Sequence, residues 1–256
     1  MTDPRAIADA LIAAERDRTP ITPFTHASPY LHVDTAYKAQ ALVAEHRLEA
    51  GERIIGAKLG FTSKVKRLAL GIHEPVYGRV TSRMVVPYGE PLRLDELIHP
   101  RAEPELAFLI GETIQPSTPP AGVLAAVEAV IPAIEVMDTR YSGSFRLADS
   151  IADNAGAARV VFAAQGRRPD ELVDLRLLGC LFRHRGGVLT AAGGAAMGHP
   201  AAAVAWLANA LAERGERLEA GSIVLSGGLT ASAELQPGAV VSAEFDGLGT
   251  VQLQCS

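Results

Sequence analysis

The spacing of apolar residues divides the chain into two textures. Ile7, Ala10, Leu11 and Ala14 recur among Arg5, Asp9, Glu15 and Arg16, with Thr2 and Asp3 ahead of Pro4. Apolar residues three and four apart share one face of a helix, and a polar cap followed by proline is a helix start. The spacing predicts an amphipathic helix over 4–16. Arg18-Thr-Pro-Ile-Thr-Pro reads as a loop. A second helix is expected over 35–49, capped by Asp34-Thr35, with Ala36, Ala39, Leu42, Val43 and His46 on one side and Gly51 at its end.

From Arg53 the period shortens. Apolar, β-branched runs are separated by Gly, Pro and Asp: 54–55, 85–86, 106–110, 131–136, 159–162, 173–183, 223–225, 240–245 and 250–253. Helical stretches interrupt them at 62–70, 119–129 and 200–212. Many short strands with scattered helices predict an α+β fold with a mixed sheet rather than a regular βαβ series. The boundary gives an N-terminal helical subdomain, 1–52, and a larger β-rich domain, 53–256.

Composition narrows the function. The chain has 256 residues and a net charge of −5, with no Lys/Arg cluster. It therefore lacks the electrostatic footprint of a nucleic-acid binder. No run approaches the ~18 apolar residues of a membrane span, and no signal peptide is visible. Cys180 and Cys255 give no disulfide framework, which fits a reducing cytoplasm.

Three carboxylates carry the chemistry. Glu103 and Glu105 stand at i and i+2 of a predicted strand, so they project from one face. Glu135 sits in an apolar run, Val130–Val136. Like charges that close are costly to bury unless neutralised, and oxygen donors suit Mg2+, Mn2+ or Ca2+. The alternative is two solvated glutamates and one satisfied core acid. Lys58, in a Gly-rich apolar strand, either holds an anionic substrate or snorkels to water. Asp153-Asn154 reads as a site-lining pair or a helix cap. Ser226-Gly-Gly-Leu-Thr230, with Gly228, offers either backbone amides and hydroxyls to a carboxylate or a plain strand-to-turn connection. His73 and Glu74 form a turn-like segment that invites an acid–base guess and more often is solvated.

Read together, Gly56-Ala-Lys-Leu-Gly-Phe-Thr-Ser, Gly71-Ile-His-Glu-Pro-Val-Tyr-Gly, Ile98-His-Pro-Arg-Ala-Glu-Pro-Glu, Pro132-Ala-Ile-Glu-Val-Met-Asp-Thr-Arg-Tyr and Ala152-Asp-Asn-Ala resemble the 2-keto-4-pentenoate hydratase / 4-oxalocrotonate decarboxylase group of the fumarylacetoacetate hydrolase superfamily. Gly221–Thr230 and Gln236–Thr250 resemble that superfamily's closing strands. The resemblance implies a mixed β-sheet roll of the fumarylacetoacetase type with a small N-terminal helical layer. It implies one Mg2+ or Mn2+ on Glu103, Glu105 and Glu135, a 2-oxo acid chelating it, and Lys58 at the site. Arg140, Asp153, Ser226, Gly228 and Thr230 become candidate substrate-binding residues, with Arg140 for a distal carboxylate. A homo-oligomer is implied, as is a complex with a paralogous hydratase.

The branch turns on one position. Hydratases resembling this chain commonly read Pro-Asp-Phe-Gly where it reads Pro75-Val76-Tyr77-Gly78, and Val76 moves no proton. A serine often found after Asp-Asn-Ala is Gly156 here. The expected activity is Mg2+-dependent decarboxylation of 2-oxo-3-hexenedioate (4-oxalocrotonate) in aromatic meta-cleavage catabolism. Hydration of 2-hydroxypenta-2,4-dienoate and a non-catalytic partner role stand as alternatives.

Overall fold

Asp3 caps the first helix, accepting the amide of Arg5 at 3.0 Å, in a computed structural model that describes residues 3–256. The expected share of Thr2 in that cap lies outside the described residues. Helix α1 (Pro4–Asp17) buries Ile7, Ala8, Leu11 and Ala14. A single turn, α2 (Phe24–Ala27), precedes α3 (Val33–Glu49). The latter starts earlier than expected, because the His32 ring and not Asp34 takes the first free amide. Gln40 of α3 donates to the carbonyls of Tyr77 and Ile151, each at 2.9 Å, which ties the helical layer to the rest of the chain.

The remaining elements are β1 (Ile54–Gly60), α4 (Lys64–Leu70), β2 (Val76–Thr81), β3 (Arg101–Ile110), α5 (Pro120–Ala126), β4 (Val127–Met137), α6 (Leu147–Ala152), β5 (Ala157–Phe162), β6 (Gly179–His184), β7 (Gly187–Ala192), α7 (Pro200–Ala212), β8 (Ile223–Leu225), β9 (Ala233–Glu234), β10 (Val240–Phe245) and β11 (Gly249–Gln254). A mixed sheet runs β2-β1-β8-β3-β4-β5, with β9 added to β3. Among the described residues, only β1 and β8 run parallel in it. An antiparallel sheet, β11-β10-β6-β7, packs against β4. The architecture is α+β, as expected.

The main core joins both sheets to α7 through Phe108, Ile134, Phe182, Phe245, Val204 and Leu207. Each such fully buried side chain contributes about 1.5–3 kcal/mol. A second cluster seats α1 and α3 on Val76, Tyr141 and Ile151.

Several boundaries differ from expectation. Segment 85–86 is no strand: Val85 makes a single bridge to Val160. The expected strand over 173–183 begins only at Gly179, and the residues before it form a turn. Helix α5 stops at Ala126, and the same run continues as β4. Strand β2 hid behind Gly71, Pro75 and Gly78, which read as turn punctuation. Gly78 is in mid-strand because a Cβ there would meet the Asn154 carbonyl oxygen at 2.1 Å.

Candidate active site

The site opens where a short strand gives out. Strand β8 lies between β1 and β3, with Leu225 opposite both Lys58 and Ala107. After Leu225 the chain leaves the ladder as Ser226-Gly227-Gly228 and returns as β9, opposite Arg101 and Ala102. The gap between β1 and β3 becomes a cleft, and the glutamates of β3 face it.

Glu103 and Glu105 share a face of β3, and Glu135 stands directly opposite Glu103 on β4. One carboxylate oxygen from each lies within 4.8 Å of the others. Glu105 and Glu135 are buried. Among the described residues, Glu105 Oε1 and Glu135 Oε2 have no hydrogen-bond partner. Buried, unpartnered carboxylate oxygens converging on one point are costly unless a cation sits among them. An all-oxygen set suits a hard divalent ion such as Mg2+, Mn2+ or Ca2+. Burial removes the solvated reading for Glu105, while Glu103 is half-buried.

The Gly-Gly turn shapes this triad. Gly227 N–H donates to Glu105 Oε2 at 2.7 Å. The amide thus aims at a glutamate rather than at a substrate carboxylate. Gly227 has φ +107°, and a Cβ there would strike the Thr62 side chain. A Cβ on Gly228 would fall 1.8 Å from Glu103 Oε2. Glycine at both positions lets the turn approach the carboxylates this closely.

Lys58 completes the cluster. It is 2 % exposed, which removes the snorkelling reading. Its Nζ lies 3.0 Å from Glu135 Oε1 and donates to the Ala155 carbonyl at 3.0 Å. That carbonyl is aimed by a left-handed turn: Asn154, Ala155 and Gly156 have φ of 53°, 52° and 73°. The conformation costs Ala155 about 1 kcal/mol or more. Asn154 holds it by pairing its side-chain amide with the backbone of Arg79, at 2.7 and 2.9 Å.

Electrostatics follow from burial. Burial alone would push the Lys58 ammonium down, but Glu135, Glu105 and Glu103 outweigh it, so its pKa rises and the charge is held. Burial raises the Glu103 and Glu105 carboxyls, and the Glu135 charge adds to the rise. Both shifts follow from burial and from like charges brought together.

A cavity of about 290 Å³ adjoins the cluster. Lys58, Val76, Glu103, Asp153 and Gly228 line it, with Lys66, His99, Arg101 and Thr139. Sequence reasoning missed Lys66 and Arg101. Arg101 was findable: it is two residues before Glu103, so the alternation that pairs Glu103 with Glu105 puts it on the same face.

Other candidates sit elsewhere. Arg140 does not line the cavity. Its guanidinium and amide close on Asp153, its Nη2 donates to the Asp153 carbonyl at 2.7 Å, and it is buried. The distal-carboxylate role expected of it therefore fails on geometry. Asp153 ends α6 rather than starting it, and burial pushes its carboxyl up to about 6 against the pull of Arg140. Ser226 is buried with Oγ unpartnered among the described residues, and Thr230 turns its hydroxyl to the Ala231 carbonyl; neither is on the cavity wall. His73 and Glu74 are exposed and outside it.

Among the described residues, no helix is long and apolar enough to cross a membrane. The profile of the fumarylacetoacetate (FAA) hydrolase C-terminal family matches residues 53–255. A 4-oxalocrotonate decarboxylase of Pseudomonas putida is 36 % identical, over 96 % of this chain and 94 % of that protein. A 2-hydroxypent-2,4-dienoate hydratase of Pseudomonas putida is 41 % identical, over 82 % of this chain and 96 % of that protein. The solved 4-oxalocrotonate decarboxylase from Pseudomonas putida G7, complexed with magnesium and adipate, superposes with a TM-score of 0.94 at 34 % identity, covering 99 % of this chain and 97 % of that one. The chain belongs to the fumarylacetoacetate hydrolase family of enzymes.

Proposed function

We propose that the chain is a divalent-metal-dependent lyase that decarboxylates 2-oxo-3-hexenedioate to 2-hydroxypenta-2,4-dienoate and CO2. Val76 carries the choice of reaction. It is buried and lines the cavity at the start of β2, where a proton-moving carboxylate would serve water addition. An isopropyl group there has no such use, and decarboxylation has no need of one. The likeness to a decarboxylase solved with magnesium and adipate supports the same reading.

Glu103, Glu105 and Glu135 would hold one Mg2+ or Mn2+. When bound, the ion supplies Lewis-acid polarisation of the 2-oxo acid, the electron sink that this reaction needs. Lys58 keeps a positive charge beside the triad, where enolate charge develops, in a buried setting that strengthens its effect. The bond to the distal carboxylate breaks and CO2 departs. Its electron pair stays in the dienolate, which takes one proton on oxygen to give the dienol. Bound water or the Lys58 ammonium supplies that proton. The intact triad and Lys58 argue against a non-catalytic partner. The same reading gives a cytoplasmic homo-oligomer, divided at residues 52/53, with a paralogous hydratase as the consumer of its product.

Hydration of 2-hydroxypenta-2,4-dienoate is the second reading, favoured by the 41 % identity to a hydratase. The test is the Val76→Asp exchange, assayed with each substrate in turn. The proposal expects CO2 release to fall and dienoate hydration to rise. An unchanged partition between the two reactions would remove the weight placed on Val76.

A further inference from the structure

A substrate with a second carboxylate needs a cation at its far end, and Arg140 is spent on Asp153. Two other cations line the cavity, Lys66 and Arg101. Arg101 belongs to the face of β3 that carries Glu103 and Glu105. The rise of an extended strand sets it about 7 Å beyond Glu103 and about 14 Å beyond Glu105 along that face. Arg101 thus starts from the strand on the cavity side of the triad, within the reach of a short diacid whose 2-oxo end lies at the glutamates.

The Arg101 side chain is prepared for such a contact. Its Nε donates to Ser232 Oγ at 2.8 Å and its Nη2 to the Ser232 carbonyl at 2.9 Å. Those bonds fix the guanidinium and leave Nη1 with no hydrogen-bond partner among the described residues. Lys66 approaches from α4, its Nζ 3.5 Å from the Thr230 carbonyl. Both line the same cavity as Glu103 and Gly228. Among the described residues, neither forms an ion pair with a carboxylate of the fold.

We propose that Arg101, flanked by Lys66, receives the distal carboxylate and makes this cavity selective for 2-oxo diacids over 2-oxo monoacids. The inference rests on the 2-oxo acid reading of the site. That carboxylate departs as neutral CO2, so the contact is a ground-state one. It selects the substrate rather than speeding its breakdown.

The test is calorimetric binding of 2-oxoadipate and 2-oxohexanoate, alike in length, to the Mg2+-loaded protein and to its Arg101→Ala and Arg101→Lys variants. The wild type should prefer the diacid by about tenfold or more, the range of a charge-assisted hydrogen bond. Arg101→Ala should collapse that preference through the diacid alone, and Arg101→Lys should restore part of it. A preference that survives in Arg101→Ala overturns the inference, and so does an equal loss of both ligands. Failure of the decarboxylation reading shows differently: the Arg101-dependent preference persists, and no CO2 is released from 2-oxo-3-hexenedioate.

Discussion

Glu103 and Glu135 face each other across the β3–β4 ladder, a register in which two carboxylates meet. Like charges directly opposite destabilise a sheet pair, and here Glu105 adds a third from the same face. Among the described residues, only Lys58 Nζ offsets them at close range, at 3.0 Å from Glu135. The fold thus gathers three carboxylates around a single close cation.

Glu105→Gln should relieve that excess. Without metal, the variant should melt no lower than the wild type, and by the usual scale up to a few degrees higher. With Mg2+ it should gain far less than the wild type, and Mn2+ affinity should fall at least about tenfold, as one charged ligand is lost. Calorimetric titration with Mn2+ and thermal melts check both. Wild-type affinity in the variant would sink the ligand assignment.

The pH dependence has a definite sign. In the metal-free fold the Glu103 and Glu105 carboxyls titrate above their ordinary range. A raised carboxyl contributes stability that is fully present below its unfolded value, about pH 4.3, and is lost as pH rises through the folded value. Mg2+ requires the ionised forms and so releases protons on binding. The Mg2+-induced rise in Tm should therefore be larger at pH 8 than at pH 5.5, with proton release visible in buffers of different ionisation heat. Equal gains at both pH values would contradict the assignment.

Lys58→Met should keep metal binding and lose catalysis. The buried ammonium faces Glu135 and the Ala155 carbonyl, and methionine leaves both without their partner. Breaking such a pair costs about 3–5 kcal/mol in the metal-free protein. The lost electrostatic contribution should lower kcat by about 10²-fold or more. Mn2+ titration alongside steady-state kinetics separates the two effects. A kcat within a few-fold of wild type would remove Lys58 from the mechanism.

Gly228→Ala tests the turn. Its Cβ would fall 1.8 Å from Glu103 Oε2, so the turn or the carboxylate must move. Metal affinity should fall well before global stability does. A variant that binds Mn2+ as the wild type does would show that Glu103 is free to shift without loss.

The triad was legible because strand alternation is a short-range rule: Glu103 and Glu105 two apart, in an apolar strand, must share a face. Helix α7 was legible too, since Pro200 opens it and the stripe of Val204, Leu207 and Leu211 fixes its period. The readings that failed depended on partners distant in sequence. Gly78 looks like a turn until Asn154 is placed beside it, and Arg140 looks free until Asp153 takes it. Arg101 was missed although the rule that found Glu105 also places it.

The most direct measurement is CO2 release from 2-oxo-3-hexenedioate by the purified protein with Mg2+, followed beside ultraviolet absorbance. The account predicts metal-dependent CO2 release that matches substrate loss mole for mole and is abolished by a chelator. Absence of CO2, with Mg2+-dependent consumption of 2-hydroxypenta-2,4-dienoate supplied instead, would contradict it and make the chain a hydratase.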